Sequence, residues 1–139
     1  MKTPDIFYVE DDIDYAFFMR SAVQEVKDTL NLTIMDDGAE ALQKLRDFAE
    51  SKTRPKLILL DLNLPGLSGL DILKFIREIP YLKTIPVILF STSDNPDDVK
   101  ASIEFGANAY LTKPDGYENL LKCVHSVHDF WFNTHLRLN

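Results

Sequence analysis

Acidic side chains follow two of the short apolar runs in this sequence. Glu10, Asp11 and Asp12 come directly after the first run, and Asp61 comes directly after another. Carboxylates brought close together repel one another, and a hard divalent cation with a preference for oxygen ligands, such as Mg²⁺, removes that conflict. The pattern predicts a Mg²⁺ site with Asp11 and Asp61 as direct ligands and Glu10 as a ligand either directly or through water. Taken alone, residues 10–12 could equally be a solvated helix start.

Hydroxyl groups and a lysine follow two further apolar runs. Ser91 and Thr92 come after one of them, and Lys113 comes after the other. An aspartate beside Mg²⁺ and a lysine can attack a phosphoryl group, because the two cations offset the charge on its oxygens. A surface lysine is the alternative for Lys113, and a cap of the following helix is the alternative for Ser91.

The elements that must position these residues alternate between strand and helix. The predicted strands are the apolar runs 6–9, 32–35, 57–60, 87–90 and 109–111. Between them lie segments with helical spacing, such as Ala41, Leu42, Leu45 and Phe48. This order predicts an α/β fold, a doubly wound five-stranded parallel sheet flanked by five helices, in which the carboxyl ends of the strands share one edge.

Composition limits the function classes. A chain of 139 residues can bury one core, and we expect a single domain over residues 1–139 with no output domain. The net charge of −7 opposes binding to a phosphate backbone, so no direct DNA binding is expected. No apolar stretch approaches the ~20 residues that a bilayer requires. The one cysteine, Cys123, cannot form an internal disulfide, which favours a cytoplasmic location.

Four sequence blocks resemble the signature blocks of response-regulator receiver domains of the CheY-like kind. They are Val9–Asp12, Leu60–Gly66 with Gly69, Phe90–Thr92 and Gly106–Pro114. They occur in family order and at family spacing over nearly the whole chain. The aromatic tail Asp129–Phe132 resembles that of stand-alone receivers typified by cyanobacterial phytochrome response regulators.

The resemblance implies a role for each matched position. Asp61 would accept the phosphoryl group, and Glu10, Asp11 and the backbone carbonyl of Asn63 would complete the Mg²⁺ ligands. Lys113 would pair with Asp61 or with the phosphoryl group, and the Lys113–Pro114 peptide bond would be cis. The remaining positions are the phosphoryl-contacting hydroxyls Ser91 and Thr92 and the aromatic switch Tyr110, which would turn inward with Ser91.

Two of these assignments have structural alternatives. Tyr110 suits ordinary packing in a strand. Asn63 could simply begin the turn that leads to Pro65 and Gly66. The resemblance also shows two mild departures, since Glu10 stands where many members have Asp, and Ser91 where many have Thr.

The last helix, predicted at roughly 116–136, carries three consecutive aromatic residues. Trp131 continues the buried stripe formed by Leu120, Val124 and Val127. Consecutive helical residues point about 100° apart, so Phe130 or Phe132 is expected to be exposed. Phe130, Trp131 and Phe132 therefore form a candidate interface, which suggests a homodimer through the last helix, with scattered surface aromatics as the alternative. His125 and His128 lack further ligands at helical spacing, which disfavours a metal site there.

The implied function is a phospho-accepting response regulator of a two-component or phosphorelay system. Its phosphoryl donor would be a sensor histidine kinase or a histidine-phosphotransfer protein, and its output would pass to a downstream protein target. It would carry out only its own phosphorylation and dephosphorylation, not turnover of other substrates. The alternative is a phosphorylation-independent adaptor with the same fold, although such an adaptor has no use for the complete set of site residues.

Two enzyme or carrier classes are disfavoured by single positions. A haloacid dehalogenase-type phosphatase needs a carboxylate two residues after its nucleophile, and Asn63 occupies that place. A flavodoxin-like carrier needs a phosphate-binding loop after the first strand, where the acidic residues 10–12 would repel the flavin phosphate.

Overall fold

Five strands and five α-helices alternate along the chain in this computed structural model, which describes residues 3–135. The strands are β1 (Ile6–Val9), β2 (Leu32–Met35), β3 (Leu57–Leu60), β4 (Val87–Ser91) and β5 (Ala109–Thr112). The helices are α1 (Ile13–Val26), α2 (Gly38–Ser51), α3 (Gly69–Glu78), α4 (Pro96–Glu104) and α5 (Tyr117–His128). All five strands lie within one residue of their predicted bounds.

The strands form one parallel sheet in the order β2-β1-β3-β4-β5, so the predicted fold class is confirmed. Alternate side chains of β1 enter the two core layers. Phe7 packs in the layer that contains α2 and α3, whereas Tyr8 packs in the layer that contains α1 and α5. Because both faces are covered, β1 and β3 are buried along their whole length.

Helix starts are set by side-chain caps. Asp12 Oδ1 accepts hydrogen bonds from the backbone amides of Asp14 and Tyr15 at 3.0 and 3.1 Å, which fixes the start of α1. Ser68 and Asp71 form a capping box at the start of α3. Asn95 caps α4, so the alternative role of Ser91 as that cap does not apply.

The last helix differs from its predicted form. α5 ends at His128, and a π-helical segment continues over Asp129–Thr134. Within this segment the adjacent Trp131 and Phe132 both pack on the α1–α5 core layer, as the adjacent Leu120 and Leu121 do in α5. Phe130 is 49% exposed, as the sequence pattern predicted for one of the flanking aromatics. Residue 136, the predicted end, lies outside the described residues.

The predicted cis bond between Lys113 and Pro114 is wrong, because that bond is trans. Trans is the form that X–Pro bonds favour by about 0.5–1 kcal/mol. In this form the Pro114 carbonyl accepts a hydrogen bond from the Tyr15 hydroxyl at 3.2 Å.

None of the helices within residues 3–135 has the length and apolar composition needed to cross a bilayer.

Candidate functional site

The parallel register brings the predicted site residues to one edge of the sheet. Val9 pairs with Leu60, so the residues that follow them, Glu10 and Asp61, lie side by side at the carboxyl ends of β1 and β3. Ser91 pairs with Thr112 on the other side of Asp61, which brings Lys113 to the same edge.

Lys113 joins the two buried carboxylates. Its Nζ lies 2.5 Å from Glu10 Oε1 and 3.0 Å from Asp61 Oδ2, and only 6% of its side chain is exposed. Its backbone amide also donates to the Ser91 carbonyl at 2.7 Å, which ties it to β4. Burial alone would lower the pKa of Lys113, but its hydrogen bonds and charge interactions with Glu10 and Asp61 outweigh burial and raise it. Lys113 therefore carries its positive charge at neutral pH.

Glu10 is almost fully buried and depends on its hydrogen bonds. Burial raises the pKa of Glu10, whereas hydrogen bonds from Lys113 and Tyr8 act in the opposite direction. The Tyr8 hydroxyl donates to Glu10 Oε1 at 2.6 Å, and the Asp12 amide donates to Oε2 at 3.2 Å. These donors replace the hydrogen bonds to water that the buried Glu10 carboxylate lacks.

Sequence reasoning missed two tyrosines of this site. Tyr8 lies on β1 and Glu10 directly follows that strand two residues later, a spacing that puts both side chains on one face and was a usable signal. The Tyr15 ring lies 4.8 Å from Lys113 Nζ, and its position on α1 gave no such signal. Burial and the charge of Glu10 raise the pKa of Tyr8, so its hydroxyl stays protonated as a donor.

The acidic residues fit a divalent metal. Oxygen atoms of Glu10, Asp11 and Asp61 lie within 4.8 Å of one another, and this is the only such group of three potential ligands between residues 3 and 135. Asp11 is exposed, so one side of the cluster is open to solvent. An all-carboxylate set with room for water is the donor set that Mg²⁺ prefers. Asp12 does not belong to this group of ligands, and its side chain caps α1.

Asn63 and Gly69 hold the backbone around Asp61. The Asn63 amide donates to Asp61 Oδ1 at 3.1 Å, and ligation through the Asn63 carbonyl stays a prediction. A Cβ on Gly69 would lie 2.2 Å from the Asp61 carbonyl oxygen, so only glycine fits at the start of α3. The close approach of α3 therefore fixes the loop that carries Asp61.

The proposed switch residues are tied to the loop between β4 and α4. Ser91 is fully buried, and its Oγ accepts from the Ser93 amide at 3.2 Å, whereas Thr92 is exposed. Tyr110 is half-buried, and its hydroxyl donates to the Ser93 carbonyl at 2.8 Å. Both Ser91 and Tyr110 thus contact Ser93, although their roles in switching stay predictions.

An exposed apolar patch lies beside the acidic cluster. The sequence predicted the cluster but not the patch. Ile13, Phe17 and Phe18 of α1 are 80%, 64% and 45% exposed. Ile13 and Phe17 line the same shallow groove as Glu10 and Asp11. The i,i+4 spacing of Met19 and Val23 in the sequence indicates only the buried face of α1.

Known proteins are similar to this chain in sequence and in fold. Residues 6–125 match the family model described as the response regulator receiver domain. The response regulator Rcp1 of Synechocystis sp. is 44% identical over 118 residues, which cover 81% of this chain and 80% of that protein. The probable methanogenesis regulatory protein FilR2 of Methanothrix harundinacea is 32% identical over 127 residues, which cover 91% of this chain and 82% of that protein.

Two solved structures resemble this chain over nearly all of its length. The phosphorylated cyanobacterial phytochrome response regulator RcpA has a TM-score of 0.87 and 36% identity, with 97% of this chain and 98% of that chain covered. The Mn²⁺-bound form of Rcp1 has a TM-score of 0.81 and 38% identity, with 98% of this chain and 100% of that chain covered.

Proposed function

Because this chain belongs to the response regulator receiver domain family of two-component signalling, we propose that it accepts a phosphoryl group on Asp61. The donor is a phosphohistidine of a sensor histidine kinase or of a histidine-phosphotransfer protein. The observation that carries this proposal is the contact of one buried ammonium, Lys113 Nζ, with both Glu10 and Asp61 at the open edge of the sheet.

The reaction needs few groups beyond those at this edge. A carboxylate oxygen of Asp61 attacks phosphorus, the new O–P bond forms as the P–N bond breaks, and the imidazole leaves with the electron pair. Lys113 holds Asp61 before transfer and offsets charge on the phosphoryl oxygens. Mg²⁺ held by Glu10, Asp11, Asp61 and the Asn63 carbonyl would supply further positive charge beside those oxygens.

The response to phosphorylation starts at the loop between β4 and α4. An acyl phosphate adds nearly two negative charges and acceptor oxygens. Ser91 and Thr92 would donate hydrogen bonds to these oxygens, and Ser91 Oγ, which accepts from the Ser93 amide, would carry that change into the loop. Tyr110 then gives up its hydrogen bond to the Ser93 carbonyl and turns inward, which shifts the population of the α4–β5–α5 face.

The donor protein docks on the patch formed by Ile13, Phe17 and Phe18. These side chains are the large exposed apolar residues next to the acidic cluster. A phosphohistidine must come within bonding distance of Asp61, so its protein must cover α1 or the neighbouring loops. Apolar burial there would supply affinity without adding charge near the reacting groups.

The output passes through protein contact. Exposed Phe130 with the half-buried Trp131 and Phe132 offers an apolar surface for a downstream protein or for a second copy of the chain. The net charge of −7 disfavours direct DNA binding, and the single cysteine supports a cytoplasmic location.

Labelling with acetyl phosphate and Mg²⁺ tests the central proposal. We expect a phosphoryl-sized mass gain in the wild type that is absent in Asp61→Asn. Asp12→Asn is the matched control, because it removes a neighbouring carboxylate while asparagine still caps α1. An unlabelled wild-type protein would favour the phosphorylation-independent adaptor, and a label retained in Asp61→Asn would place the acceptor elsewhere.

A further inference from the structure

A cavity of about 690 Å³ lies at the edge of the sheet opposite Asp61. Its walls include Lys56, Pro86 and Asn108, which directly precede β3, β4 and β5, and Trp131 from the π-helical segment. This volume is within the range of cavities that bind small molecules. None of the residues that form the phosphorylation site lines it.

The described lining is strongly basic in a chain of net charge −7. Five of the chain's 15 lysines and arginines line the cavity, and none of its described lining residues is acidic. These five are Lys52, Arg54, Lys56, Arg77 and Lys83. Lys56 Nζ lies 3.2 Å from Asp5 Oδ1. The cavity is therefore a positively charged region on a negatively charged protein, and it attracts anions locally.

Arg77 is a partly buried cation that only neutral acceptors hold. Its guanidinium donates to the carbonyls of Gly106, Lys83 and Ile85 at 2.9, 3.0 and 2.9 Å, and to Asn108 Oδ1 at 2.8 Å. Within residues 3–135 it has no ion pair with a carboxylate. These bonds use four of the five guanidinium N–H donors and leave its positive charge in place, so Arg77 contributes mainly its charge and one remaining N–H to the cavity.

We propose that this cavity binds a small molecule with two or more phosphate groups, of nucleotide size. Arginine and lysine together are the side chains that bind phosphate oxygens. The volume exceeds what a single inorganic phosphate needs, and several cations around one cavity call for several negative charges. A nucleic-acid strand is disfavoured, because the basic residues surround a pocket rather than a continuous surface track.

The test measures binding of inorganic pyrophosphate and of ATP in buffer that contains EDTA, which keeps metal out of the acidic cluster. Calorimetry gives the stoichiometry, and fluorescence of Trp131, the single tryptophan, reports pyrophosphate at the cavity wall. We expect saturable one-to-one binding that weakens as salt concentration rises.

Matched charge reversals locate the binding. Lys83→Glu should weaken binding about tenfold or more, because it replaces a positive charge of the cavity wall with a negative one that repels phosphate. Lys122→Glu, an exposed position on α5 outside the cavity, should leave binding unchanged. Both lysine side chains are exposed, so both variants should melt near the wild-type temperature.

Binding of either probe with this pattern supports the proposal. It is overturned if neither probe binds at millimolar concentration, or if Lys122→Glu weakens binding as much as Lys83→Glu. Asp61→Asn should bind both probes like the wild type, so the result is independent of phosphorylation.

Discussion

Tyr8→Phe removes the hydroxyl that donates to Glu10 at the proposed phosphorylation site and leaves the ring in place. That hydroxyl donates to Glu10 Oε1 at 2.6 Å, and both residues are almost completely buried. The ring itself packs in the α1–α5 core layer, edge-on to Phe90. The substitution therefore tests the hydrogen bond separately from the packing.

The expected cost follows from the charge of the acceptor. A hydrogen bond to a charged group contributes about 1.5–3 kcal/mol, compared with about 0.5–1.5 kcal/mol for a neutral pair. Glu10 keeps Lys113 as a partner, so the full cost of an unsatisfied charge does not apply. We expect Tyr8→Phe to lower the free energy of unfolding by about 2 kcal/mol at neutral pH.

Urea unfolding followed by Trp131 fluorescence measures this difference. Tyr110→Phe is the matched control, because it deletes the same hydroxyl from a hydrogen bond with a neutral carbonyl, that of Ser93. We expect it to cost about 1 kcal/mol or less, since the side chain is only half-buried. The m-values of both variants should match that of the wild type.

The pH dependence has a definite sign. Burial raises the pKa of Glu10 in the folded state above its ordinary value of 4.5, so the carboxyl becomes neutral as pH falls through that raised value. The hydroxyl then faces a neutral acceptor, and the cost of Tyr8→Phe should shrink toward that of Tyr110→Phe. Equal costs for the two variants at neutral pH, or a Tyr8→Phe cost that grows on acidification, would refute the reasoning.

Three other measurements test the site and its surroundings. Gly69→Ala should lose about 1–3 kcal/mol in urea unfolding and slow the labelling of Asp61 by acetyl phosphate, because its Cβ would lie 2.2 Å from the Asp61 carbonyl oxygen. Gly66→Ala should lose about 1–2 kcal/mol through its positive φ of +80° but label at the wild-type rate, since nothing lies within 4 Å of its Cβ. Mg²⁺ at about 100 times its dissociation constant should stabilise the wild type by about 2.7 kcal/mol in thermal unfolding. Asp11→Asn should lose most of that gain, and an equal gain in both proteins would argue against Asp11 as a ligand. Burial raises the pKa of the Cys123 thiol above 9.0, so alkylation by iodoacetamide at pH 8 should be slower in the folded protein than in urea. Mass spectrometry over a pH series checks this, and equal rates would contradict the burial.

The sheet could be predicted from the sequence because each strand carries a continuous apolar run. Parallel strands covered on both faces need such runs, and their carboxyl ends necessarily meet at one edge. The positions of Glu10, Asp61 and Lys113 at one edge follow from strand order alone. Their hydrogen-bond distances do not, because those depend on side-chain conformations.

Contacts between residues far apart in the chain could not be predicted from the spacing of residues within one segment. Tyr15 lies beside Lys113 because α1 packs against α5, and that packing joins parts of the chain about 100 residues apart. The change from α- to π-helix at Asp129 has no counterpart in the sequence pattern, which predicted one continuous helix. The trans Lys113–Pro114 bond was missed because the family resemblance, not the local sequence, determined that prediction.

The order of the strands places Glu10 and Asp61 after interior strands of the sheet and Lys113 after an edge strand. β1 and β3, which lead to Glu10 and Asp61, are interior strands with fully buried residues, whereas β5, which leads to Lys113, pairs only with β4 and is half-exposed. Amide hydrogen exchange should therefore be slowest in β1 and β3 and faster in β5. Asp61, the proposed acceptor, therefore follows an interior strand, whereas Lys113, which would contact its new charge, follows the edge strand, where local opening costs less free energy.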